Sequence, residues 1–221
     1  MGRLALLWKL HDALMDNQDS LAELLTREMG KPLAEAKGEI AIGAQYLRWY
    51  AEEARRVKGE IVPAGVNGRR ILVTKHPVGV VGMITPWNFP SSMLARKLAP
   101  ALAAGHSVVL KPAETASLTL LKLAELAAQA GLPDGVLNVV TGQGAITGQA
   151  LALSMDVDVL VFTGSGNVGR RLLEYSAKSN LKRVYLELGG KSPNIVFADA
   201  PNLEQAAKVS AMGIFRNAGQ V

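Results

Sequence analysis

VGVVGMITPWNFPSSMLARKLAPALAAGHSVVLK, residues 78–111, decides the architecture. VGVVGMI (78–84) is short, apolar and rich in β-branched residues, which predicts a strand. A turn carrying Pro86 and Pro90 follows. PSSMLARKLAPALAAG (90–105) has helix-forming composition and ends on a glycine, and HSVVLK (106–111) reads as a second strand. Strand, turn, helix and strand within so few residues is one βα unit with a parallel neighbour.

Downstream the same rhythm repeats. SLTLLKLAELAAQAG (117–131) is a helix and GVLNVVT (135–141) a strand. ITGQALALS (146–154) is a helix and DVLVFT (158–163) a strand. VGRRLLEYSAKS (168–179) is a helix and KRVYLEL (182–188) a strand. The fold class is therefore α/β, a doubly wound, mostly parallel, Rossmann-like sheet. Such a sheet gathers its strand C-termini along one edge, where ligands bind. After residue 190 the pattern restarts with NIVFADA (194–200), read as a strand, and LEQAAKVSAMGIF (203–215), read as a helix. Residues 1–188 are thus expected to form one domain, and 189–221 the start of another, cut short.

Upstream, residues 3–56 carry helical periodicity, beginning with the amphipathic MGRLALLWKLHDALMD (1–16). Ser20 and Glu23 fit a capping box. Gly30 is a stop, and Pro32 suits the first turn of the next helix. In GEIVPAGVNGRRILVTKHP (59–77) two β-rich runs flank Asn67-Gly68, a hairpin signal. Such an arm covers a sheet or reaches a neighbouring subunit, the latter implying a homodimer or homotetramer.

Composition narrows the function. With 49% hydrophobic residues the chain can build a real core. No cysteine is present, so a disulfide framework and a thiolate metal site are excluded. His11, His76 and His106 are far apart in sequence, and no metal site is expected. The net charge of +5 is spread without a run of five basic residues, so neither nucleic acid nor a membrane surface is expected as partner. No apolar run is long enough for a membrane span.

Gly164-Ser165-Gly166-Asn167-Val168-Gly169 follows a strand and opens a helix, fitting G-x-G-x-x-G in its proper context. Its glycines allow close approach of a pyrophosphate to the free N–H groups of the helix start. The same spacing also serves a tight βα turn with no ligand, with Ser165 as cap. Glu187 lies where the usual fingerprint places a ribose-binding acid. However, the glycine loop follows the fourth strand rather than the first. Lys111 and Glu114 in LKPAE compete for the ribose from another strand end. GGKS (189–192) fails as a phosphate loop because Tyr185 stands where a glycine is required.

TPWNFP (85–90), LKPAE (110–114), FTGSGNVGR (162–170) and LELGGKSPNIVF (186–197) together resemble aldehyde dehydrogenases in order and spacing, over essentially the whole chain. The resemblance implies oxidation of an aldehyde to an acid through a cysteine thioester, with NAD as cofactor and NADP possible. Glu187 then corresponds to the general base, expected to be partly buried beside apolar neighbours. Asn88 corresponds to the oxyanion donor. Ile84, Thr85 and Trp87 correspond to the cofactor path, and Lys111 and Glu114 to the adenosine ribose contacts. Gly144 corresponds to the adenine side, Gly164 and Ser165 to the pyrophosphate, and Leu188 to the nicotinamide. Arg96 and Arg216 match arginines that meet the substrate carboxylate in the succinate-semialdehyde branch, pointing to succinate semialdehyde or a similar ω-carboxylated aldehyde. Glu114 disfavours a 2′-phosphate, hence NAD over NADP.

FRNAGQV (215–221) resembles the stretch that in this family runs into the catalytic cysteine. The expectation is an internal piece of a longer enzyme, inactive alone, from a cytoplasmic protein, or a mitochondrial one if a targeting segment is missing. The alternative is a non-catalytic nucleotide-binding relative of the same fold. An acyl-phosphate or CoA-dependent reductase is a further alternative. Glu187 argues against both.

Overall fold

The computed structural model describes residues 2–221; Met1, the first residue of the predicted N-terminal helix, lies outside them. Three helices come first: α1 (Arg3–Asp16), α2 (Gln18–Met29) and α3 (Leu33–Glu53). Gly30 ends α2 at φ 84, as its freedom in the left-handed region allows. Pro32 sits one place earlier than expected, at the residue that caps α3. The expected Ser20–Glu23 capping box does not form. Asn17 closes α1 and opens α2, so Ser20 lies inside the helix and its hydroxyl donates back to the Asn17 carbonyl. Glu23 pairs instead with Arg27, one turn on.

The hairpin of β1 (Glu60–Pro63) and β2 (Arg70–Val73) is antiparallel, with Pro63 opposite Arg70. Its loop, 64–69, is wider than a two-residue turn, and Gly68 takes φ 81 within it. Every residue of both strands is exposed.

β3 (Val80–Ile84), α4 (Pro90–Ala104), β4 (Ser107–Lys111), α5 (Leu118–Gln129) and β5 (Leu137–Val139) follow. A π-helical turn at Gly144–Gly148 leads into α6 (Gln149–Leu153). Then come β6 (Val159–Gly164), α7 (Gly166–Ala177), β7 (Arg183–Leu188) and α8 (Leu203–Phe215). The sheet order is β5-β4-β3-β6-β7, and every neighbouring pair is parallel. The chain runs outward from β3 to β5 and then crosses to the other side of β3. The order therefore reverses between β3 and β6, the place where open α/β sheets form a ligand crevice.

Alternation within the strands builds two cores. Val81, Met83, Val108 and Leu110 pack with α1 to α5 on one face. Ile84, Leu160 and Phe162 pack with Leu151 and Leu172 on the other. Gly82 faces the second core, where a Cβ would come within 3.0 Å of Leu160. The strand expected over 194–200 does not form: residues 191–197 are without regular structure, and Ile195, Val196 and Phe197 are exposed. A strand exists only by pairing, and among the described residues this segment pairs with no other strand. None of the α8 residues is buried.

Candidate active site

The C-terminal ends of β3, β4 and β6 enclose a cavity of about 420 Å³. It brings together seven of the residues singled out from sequence: Ile84, Thr85, Trp87, Lys111, Glu114, Gly144 and Gly164. Register explains the meeting. Ile84 lies beside Lys111 on one side and Phe162 on the other, and the Thr85 N–H donates to the Lys111 carbonyl at 3.2 Å.

Lys111 is buried, and its ammonium lies 3.6 Å from a half-exposed Glu114 carboxylate. Glu114 also accepts the Gly144 N–H at the start of the π-helical turn. Hydrogen bonds from its own backbone N–H and from Gly144, more than the nearby Lys111, hold the Glu114 carboxyl below its ordinary range. The cavity thus carries a fixed carboxylate and a buried cation at one end. The Thr85 hydroxyl is buried and has no hydrogen-bond partner.

The glycine motif opens α7. Ser165 caps that helix, its hydroxyl accepting the Val168 N–H at 3.4 Å, and it lies outside the cavity lining. Gly169 packs closely on β7: a Cβ there would come within 2.8 Å of a Leu188 methyl, which would have to shift. Leu188 accordingly leans on α7 and also lies outside the lining. Sequence reasoning missed Arg171 and Tyr175, which α7 adds to the cavity wall. Their spacing of four on a helix that starts at the motif was the available signal.

A second group sits at the same sheet edge. Asn88 follows β3, and its side-chain amide donates to the Gln220 carbonyl at 3.2 Å. Glu187 lies near the end of β7, opposite Thr163 in register. It is exposed rather than partly buried as expected, because β7 is the last strand of the sheet and nothing among the described residues covers it. Lys97 of α4, which the sequence reading passed over, reaches β6, the strand beside β7. It is buried, and its ammonium donates to the Thr163 hydroxyl at 2.6 Å. Burial first, and then the Arg96 charge, push the Lys97 amine down to about 8, while the Glu187 carboxylate opposes the shift.

Arg96 is exposed on α4, its Nε donating to the Tyr46 hydroxyl at 3.0 Å. Arg216 is exposed 6.0 Å from the centre of the Phe89 ring. Arg216 lies on the turn that folds back against Asn88, and Arg96 lies further along the helix that follows Asn88. Among the described residues no cluster of His, Cys, Asp and Glu is placed to hold a metal ion. No helix there is long and apolar enough to cross a membrane.

The model of the aldehyde dehydrogenase family matches residues 1–221. The succinate semialdehyde dehydrogenase of Acinetobacter baylyi is 52% identical over 218 residues, 99% of this chain and 45% of the relative. The succinate-semialdehyde dehydrogenase [NADP(+)] GabD of Escherichia coli is 49% identical, again over 99% of this chain and 45% of its own. A solved structure of P. syringae AldA, an indole-3-acetaldehyde dehydrogenase, superimposes with a TM-score of 0.95 at 49% identity. It covers 99% of this chain and 44% of that one, and holds NAD+ and IAA in a cysteine-to-alanine mutant. The chain thus spans a little under half the length of the relatives it matches.

Proposed function

The chain belongs to the aldehyde dehydrogenase family, and on that footing we propose that it forms the NAD(P)-binding part of an enzyme oxidising a short ω-carboxylated aldehyde, succinate semialdehyde first. Residues 1–188 are the cofactor-binding unit, and 189–221 belong to the catalytic unit. One juxtaposition carries the reading: the Lys111–Glu114 pair in the crevice beside β3 shares one sheet edge with Asn88 after β3, with Lys97 at the end of β6 and with Glu187 on β7.

The cavity residues fit the cofactor. The volume is in the range of small-molecule sites, and an unpartnered buried hydroxyl at Thr85 is suited to a polar ligand. Lys111 and Glu114 would hold the ribose hydroxyls, and Gly164 with the α7 start would face the pyrophosphate. The Glu114 carboxylate disfavours a 2′-phosphate, which supports NAD; NADP remains compatible where that side chain turns away. The bound nicotinamide supplies the hydride acceptor.

The remaining work falls to this chain's side chains. The Asn88 amide donates to the aldehyde oxygen as it gains charge. Glu187 removes a proton from the water that releases the acid. The thioester step needs a thiolate, and these 221 residues contain no cysteine. The nucleophile is therefore assigned to the longer parent chain, and the 221 residues alone are expected to show no turnover.

Identity alone does not choose the aldehyde, since similar identities reach an enzyme for a semialdehyde and one for indole-3-acetaldehyde. Arg96 and Arg216 support the carboxylated one, because a guanidinium fork matches a carboxylate. The test is steady-state oxidation by the parent chain with succinate semialdehyde and with a neutral aldehyde of equal length. Arg96→Ala and Arg216→Ala should raise KM for the first by about tenfold or more and leave the second unchanged. Equal effects on both would remove the arginines from substrate recognition.

A further inference from the structure

We propose that Lys31, locked by Glu39, is a positioning residue that fixes the Asn88 turn and so aims the Asn88 amide. The inference rests on the reading of Asn88 as the oxyanion donor.

Lys31 and Glu39 form an ion pair whose side chains are 1% and 2% exposed. Removing two charges from water is costly, and a buried pair recovers that cost only through well-placed further hydrogen bonds. Those bonds are found at both ends of one turn. The Lys31 ammonium donates to the Asn88 carbonyl at 3.1 Å and lies 4.2 Å from the centre of the Phe89 ring. The Glu39 carboxylate accepts the Ser92 N–H at 3.0 Å, in the first turn of α4. The pair therefore grips residues 88–92 from the carbonyl at one end to the amide at the other.

The same junction of α2 and α3 reaches the segment facing Asn88. Glu35, one helical turn before Glu39, accepts the Asn217 N–H. Asn217 is fully buried at φ 54, and its side-chain amide donates to the Asn88 carbonyl at 2.9 Å. The Asn88 carbonyl thus has two donors, one from each side, and neither contacts the cavity that would hold the cofactor. With its carbonyl clamped, the Asn88 backbone has little freedom to turn, and the direction of the side-chain amide follows.

A double-mutant cycle in the parent chain tests this. Asn88→Ala should lower kcat about 10²–10³-fold, as loss of an oxyanion donor does. Lys31→Met should lower kcat on the order of tenfold through misplacement, with the Kd for NAD unchanged. In the Asn88→Ala background Lys31→Met should cost nothing further, because its effect passes through that amide. The pair Lys31→Met with Glu39→Gln, crossed with Asn88→Ala in the same way, repeats the test without a stranded buried carboxylate. An undiminished kcat loss in the Asn88→Ala background, or no kcat loss from either Lys31 variant in the native background, overturns this inference alone. An Asn88→Ala enzyme with full kcat overturns the oxyanion reading and this inference with it.

Discussion

Lys97 is buried at the edge where Thr163 and Glu187 face each other across neighbouring strands. Its amine sits at about 8 against an ordinary 10.5, chiefly through burial. The folded state therefore holds this proton less tightly than the unfolded chain does. Between about 8 and 10.5 the unfolded chain binds more protons, so the Lys97 contribution to stability rises with pH; below about 8 the burial penalty stands in full. The stability of the native protein relative to Lys97→Met, from urea melts, should climb across that window. A flat difference would mean that the amine keeps its ordinary proton affinity. Nothing in PSSMLARKLAPALAAG marks Lys97 for burial, since a lysine on an amphipathic helix usually stays solvated. By contrast, Lys111, Glu114 and the glycine motif were legible because each stands at the C-terminal end of a strand or just beyond it. The exposure of Glu187 was not legible, as it depends on what covers the last strand.

At the scale of elements, Glu28 of α2 reaches the N-terminus of α5. Its carboxylate accepts the N–H groups of Leu118 and Thr119 and, at 2.7 Å, the Thr119 hydroxyl. A carboxylate there satisfies donors that the helix cannot. Glu28→Ala should destabilise the protein by about 1–2 kcal/mol, read as a lower urea midpoint at unchanged slope; an unchanged midpoint would show that water replaces the carboxylate without loss. This cap joins residues 90 positions apart, which is why no local pattern announced it. The parallel strands were readable from apolar runs between turns. NIVFADA was misread because its composition suits a strand while no described edge pairs with it. Ser20 and Glu23 have capping-box spacing, but Asn17 starts the helix earlier and places Ser20 within it.

At the scale of the whole molecule, the surface divides into finished and unfinished regions. The sheet is covered on both faces near β3, whereas β1, β2 and α8 bury nothing. Ile61 and Leu72 on the hairpin are 68% and 70% exposed, and an isolated two-stranded sheet is marginal in water. The hairpin is accordingly expected to pair with a second subunit. Light scattering on the parent chain should give a dimer or tetramer, and deletion of 60–73 a smaller species; an unchanged mass after deletion would remove the arm from assembly.

The crevice between β3 and β6 is expected to bind a nicotinamide dinucleotide through Lys111 and Glu114. Calorimetric titration of NAD into the 221-residue protein, native and Lys111→Met, tests it most directly. Saturable one-site binding by the native chain, weakened about tenfold or more by Lys111→Met, is the predicted result. No saturable binding, or equal binding by the two proteins, would contradict it.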